Sequence, residues 1–234
     1  HIVCVAESTT VSKIYVDGQL DVTSSNNRIN SATMAGTFNI GSSYINNYLF
    51  IGQLSQYSIF DYPLSLTQVK YLYNNNDTVN PTVANPQNPM GILGKSPVAY
   101  YDLGGSSTGD AAATSPNTLT VPNSSVPSAT VFDFGVQAQN EYIELPQLPS
   151  FTSITVSAWI KTQGTSVRQT IIGNNGQDST RRGWDLRLGG VWTGAYEQAQ
   201  FIFYNSDGSV EINVQQTLSK SLADNQWHHV VALW

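Results

Sequence analysis

An antiparallel β-sandwich of jelly-roll type, all-β apart from one short helix, is the fold this sequence predicts. Three observations carry that expectation. Short runs of β-branched and aromatic residues recur along the chain, each bounded by Gly, Asn, Asp or Pro. Only one segment, near residues 65–73, has the spacing of a helix, so strands do not alternate with helices as a βαβ fold requires. The chain is 234 residues long and 40% hydrophobic, enough to fill the core of one large sandwich.

The elements follow in order. Residues 13–16 run into Asp17-Gly18, a strong two-residue hairpin turn signal, and residues 19–22 return. Residues 38–41, 49–54 and 57–60 are further short strands, the last stopped by Pro63. Ser65 followed three residues later by Gln68 has capping-box spacing, and Val69, Leu72 and Tyr73 give the helix after it one apolar side. Asn74-Asn75-Asn76 and four spaced prolines (Pro81, Pro86, Pro89, Pro97) then mark a linker, centred on residues 78–96, with little to bury. Strands resume at 98–103, 130–134, 141–145, 153–161, 170–173, 184–188, 199–204, 210–214 and 227–234.

The two ends of the chain repeat one phrase. Aligning His1 with His229 pairs Ile2 with Val230, Val3 with Val231 and Val5 with Leu233, an offset of 228 residues (229 − 1). A tandem repeat cut in mid-domain explains this, with residues 1–77 finishing one jelly roll and 97–234 beginning the next. The alternative is one circularly permuted domain in which the linker joins the usual ends.

Composition narrows the function. Only 11% of residues are charged, against roughly 25% in ordinary soluble domains. The net charge of −6 and the pI near 4.8 disfavour nucleic acid, which needs basic patches for its phosphates. Arg181, Arg182 and Arg187 form the one local basic cluster, too small to change that. Cys4 is the single cysteine, so no internal disulfide forms, and between Val3 and Val5 it reads as a buried, inert thiol. No apolar run approaches the roughly 18 residues of a membrane span, so no membrane insertion is expected.

Several strands read as phrases of a known family. Residues 98–103, the Phe132-Asp133-Phe134-Gly135 and 140–145 pair, residues 151–161 and residues 226–233 resemble successive strands of laminin-G-like, concanavalin A-like jelly rolls. Residues 14–18 are similar to the family's "IYVDG", and residues 51–65 to its segment "GxIDEVRIYNRALS". The family's last phrases come first in this chain and its first phrases come last, which fits either a repeat or a permutation.

The resemblance brings glucanases into question, since the same fold hosts them. Laminarinase-type members carry Glu-x-Asp-x-x-Glu on one strand, and this array is missing. Glu141 and Glu144 are three apart, so a strand sends them to opposite faces, while Asp178, Asp185 and Glu197 are isolated in sequence. A non-enzyme is expected. The resemblance also implies a calcium ion at a sandwich rim, with Asp133, Asn140 and Asp102 as its oxygen ligands. Ser55 and Gln56 replace two of the family's acids, which weakens such a site, and Asp133 and Asn140 equally suit turn capping. His228 and His229 are adjacent, so a regular strand points them to opposite sides and they cannot share one ion. The expectation is that one packs against the sandwich and the other faces outward.

Aromatic residues are the better functional hint. Trp159 sits on the polar side of its strand, as a platform for a sugar or beneath a covering loop or sheet. Trp184, Trp192 and Tyr196 surround the Gly189-Gly190 and Gly194 turn and read as exposed stacking groups, with Arg182 and Asp185 near enough to orient hydroxyls. The same residues also suit a plain structural turn. The expected function is a carbohydrate-recognition or adhesion module of an extracellular, cell-surface or virion-surface repeat protein. Its partners would be surface glycans or neighbouring copies of a repeat or particle protein. A structural spacer is the alternative, and a carbohydrate-active hydrolase the third reading.

Overall fold

In the computed structural model, the described residues are 11–25, 38–42, 49–79, 87–101, 132–134, 142–145, 153–163, 167–173, 183–189, 197–204, 210–216 and 221–233. They build the expected two-sheet sandwich. In chain order the strands are β1 (Ser12–Val16), β2 (Gln19–Ser24), β3 (Phe38–Ile40), β4 (Gly52–Phe60), β5 (Ala99–Tyr101), β6 (Phe132–Phe134), β7 (Ile143–Leu145), β8 (Thr155–Lys161), β9 (Gln169–Gly173), β10 (Gly183–Leu188), β11 (Ala199–Tyr204), β12 (Val210–Gln215) and β13 (His228–Leu233). One sheet runs β2-β1-β13-β8-β4-β5, with β6 also on β4, and the other runs β12-β11-β10-β9-β3-β7.

Early and late strands interleave in both sheets. The pair β13–β8 lies between β1 and β4, and β3 lies between β7 and β9. All these pairings are antiparallel. Alternate residues face inward, as the period of a strand demands. Ile14 and Val16 from β1, Val156, Ala158 and Ile160 from β8, and Val230 from β13 join one core with Phe38, Ile172, Leu186 and Phe201 of the opposite sheet.

The Asp17-Gly18 turn forms as expected. Both residues have positive φ (48° and 75°), the left-handed pair that a tight hairpin between twisted strands requires. Glycine is needed here a second time, because a Cβ at Gly18 would come 2.9 Å from Tyr73 Cδ1. Residues 49–54 and 57–60, read as two strands, are bridged by the nine-residue β4. Its pairing with β8 shifts between Ser55 and Ser58, and Gln56 takes φ 47°, so a bulge absorbs the break in the apolar pattern.

The helix α1 (Leu66–Asn74) starts at the predicted cap, where Ser65 and Gln68 make both bonds of a capping box. Val69, Leu72 and Tyr73 are buried. The reading of 78–96 as a stretch with little to bury needs correction from Gln87 onward. A 3₁₀ turn at Pro89–Gly91 leads to Ile92, whose side chain joins the core. Gln68 Nε2 donates to the Leu93 carbonyl at 2.6 Å, Tyr62 donates to the Lys95 carbonyl at 2.5 Å, and Lys95 pairs with Asp61. The residue that caps α1 thus also holds the returning chain. No helix among the described residues is long and apolar enough to cross a membrane.

Candidate functional site

The six-stranded sheet turns a polar face away from the core. On β10 the alternation Trp184, Asp185, Leu186, Arg187, Leu188 puts three apolar residues into the core cluster and sends the two charged ones to the opposite side. Strand register then assembles two rows across the sheet. Glu144, Asn39, Gly173, Asp185, Ile202 and Asn213 lie in one. Thr170, Arg187, Gln200 and Gln215 lie in the next.

Arg187 is the centre of this face. Its Nε donates to Gln200 Oε1 at 2.9 Å and its Nη1 to the Tyr204 hydroxyl at 3.3 Å, with Asp185 Oδ2 at 3.8 Å. Gln200 in turn donates to Asn213 Oδ1 at 2.7 Å. Gly173 makes room for the Asp185 carboxylate, since a Cβ there would collide with Oδ1. Three buried polar atoms on neighbouring strands make no hydrogen bond: Arg187 Nη2, Thr170 Oγ1 and Asn39 Oδ1. A buried donor or acceptor left unmade costs about 1–3 kcal/mol, and all three belong to buried residues.

The predicted stacking set fares unevenly. Trp184 is a correction: it is fully buried, its ring 5.6 Å from Phe38 and 5.7 Å from Phe201. It is a core residue and offers no surface to a sugar. Asp185 lies on the polar face, but it is buried beside Arg187 and held within that network rather than exposed at a turn. Arg182, Trp192 and Tyr196 lie outside the described residues. The segments carrying them leave opposite ends of β10, whose six residues span roughly 20 Å. Arg187 was overlooked as a site residue, although the W-D-L-R-L alternation already paired it with Asp185.

Trp159 is covered rather than exposed. His229 stacks on its ring at 4.8 Å and 13°, and Tyr73 of α1 at 6.0 Å and 15°. Both histidines of the pair are buried, which corrects the expectation that one faces outward. His229 Nε2 lies 2.5 Å from Ser157 Oγ, and the Asp17 carboxylate accepts from the backbone N–H of His229 rather than reaching its ring. His228 sits between two carboxylates, Asp17 Oδ2 at 3.2 Å and Asp224 Oδ1 at 2.9 Å, and so ties β13 to the β1–β2 turn. Both partners of the serine–histidine contact are buried.

For calcium, Asp133 lies on β6 opposite Gln53, while Asp102 and Asn140 lie outside the described residues. No cluster of three His, Cys, Asp or Glu side chains suited to a metal occurs among the described residues. Of the carboxylates considered for catalysis, Glu144 and Asp185 are in the same row but separated by β3 and β9. Three steps of about 4.8 Å put them roughly 14 Å apart, beyond the 5–9.5 Å used by paired glycosidase carboxylates.

Two antiparallel sheets packed on one core define an antiparallel β-sandwich as the class of this molecule. Residues 1–70 and 137–234 match the family model described as concanavalin A-like lectin/glucanases superfamily, and the chain belongs to that superfamily. No curated protein and no solved structure matches it.

Proposed function

We propose that this chain is a non-catalytic saccharide-recognition module that holds an extended glycan along the outer face of β10. The observation that carries this reading is the trio of buried, unbonded polar atoms on Arg187, Thr170 and Asn39. Sugar hydroxyls both donate and accept, so an oligosaccharide that gained access to these buried atoms would satisfy all three. Asp185 and Arg187 fix each other's orientation, and Trp192 and Tyr196, on the segment after β10, supply stacking at one end. The wide separation of Glu144 and Asp185 supports binding without hydrolysis. Calcium at Asp133, Asn140 and Asp102 would add a rim contact, and its role is read from whether calcium raises the melting temperature and chelation reverses that.

Affinity per site is expected to be weak, around millimolar, so attachment to a cell or particle surface rests on many copies acting together. Titration with surface polysaccharides tests the reading: Trp192→Ala and Tyr196→Ala should each weaken binding about tenfold while the far-ultraviolet spectrum stays unchanged. The complete burial of Asp185, Arg187 and Gln200 favours a second reading, a spacer whose polar face is closed on itself. Binding that survives both substitutions, or no binding to any glycan tested, selects that reading.

A further inference from the structure

The slot between β1 and β8 has two strands in the sequence that fit it. In the structure β13 fills it, with Lys13 opposite Leu233, Ile14 opposite Ala232, Tyr15 opposite Val231 and Val16 opposite Val230. Shifting β13 by the 228-residue offset between His229 and His1 puts Val5, Cys4, Val3 and Ile2 opposite the same four residues of β1. That register is also compatible with a local hairpin. Continuing it pairs Ala6 with Ser12 and Glu7 with Val11, leaving Ser8, Thr9 and Thr10 as a three-residue loop, a common hairpin length. The spacing of residues 1–16 thus permits the register observed for β13.

The side chains are matched as well. Ile2 stands in for Val230, which is fully buried, and Cys4 for Ala232, whose partners Ile14 and Val156 are fully buried. Each replacement is apolar and only slightly larger, so its cost is that of mild overpacking. His1 stands in for His229, whose ring stacks on Trp159 and meets Ser157. We infer that the β1–β8 slot is a strand-binding site that residues 1–5 of the same chain occupy interchangeably with residues 229–233. A copy closed by its own residues 1–5 then has its 229–233 strand available to another copy of the sequence.

Substitution in the full-length chain tests this. Aspartate at position 230 or position 2 places a charge in the slot only when that strand occupies it, and a buried unpaired charge is not tolerated. Ile2→Asp and Val230→Asp should each keep cooperative thermal unfolding within a few degrees of the parent, while the double variant loses it. In Val230→Asp the thiol of Cys4 should react with a disulfide reagent at least tenfold more slowly than in the parent, because it has entered the core. Unfolding by Val230→Asp alone, cooperative folding of the double variant, or a Cys4 rate unchanged by Val230→Asp would each overturn the inference.

Discussion

Asp224 accepts hydrogen bonds from His228 and from the Gln226 backbone N–H. Burial pushes its carboxyl upward, but those bonds and the charge of His228 outweigh it and hold the group below its ordinary 3.8. The sign of the resulting pH effect follows. Stabilisation from this carboxylate is complete above the unfolded value and is lost as pH falls through the lower folded value. Acid titration of stability should therefore steepen below about pH 4, and Asp224→Asn should flatten that limb in denaturant melts at successive pH values. Trp184 makes a second prediction at this scale. Because it fills the core between Phe38, Phe201 and Phe203, Trp184→Ala should cost about 3–5 kcal/mol of stability, seen as a lower urea midpoint. A sugar-stacking residue would leave the midpoint alone. Its inward direction was legible in the alternation of β10. A neighbouring glycine-rich turn suggested exposure instead, and composition of a turn says nothing about which way the strand beside it points.

Among the elements, α1 shows what local pattern can and cannot give. Its start, its buried side and its length were all legible, because capping and a 3.6-residue period are local. Its role was not. That Tyr73 would lie on Trp159, and that Gln68 would hold Leu93, depend on which sheet the helix lies against and where the chain returns. For the same reason residues 87–97 read as empty linker: one isoleucine among prolines and glycines carries no period, yet Ile92 reaches the core. Removing the cap with Ser65→Ala should cost about 1 kcal/mol. Gln68→Ala should cost more, since it breaks both the cap and the tie to Leu93, and thermal melts of the two variants should rank them in that order.

At the scale of the whole molecule, strand composition was readable but strand order was not, since pairing across two hundred residues leaves no local mark. The front strands β1, β3 and β4 are each bonded to late ones. Cutting the chain between residues 80 and 86 should therefore leave both fragments together in size-exclusion chromatography under native conditions, with separation only in denaturant. The polar face was only half legible: its residues were visible in the sequence, but their meeting across β3, β9, β10 and β11 required the register. That register has a mechanical consequence. Ser12 of β1 and Leu233 of β13 lie at the same end of an antiparallel pair, with Lys13 opposite Leu233 and Val16 opposite Val230. Tension applied between those two ends pulls across the pair rather than along it, so the hydrogen bonds are loaded one after another instead of all at once. Pulled between those two ends in a single-molecule extension experiment, the pair should open like a zipper, at low force and with length given up gradually.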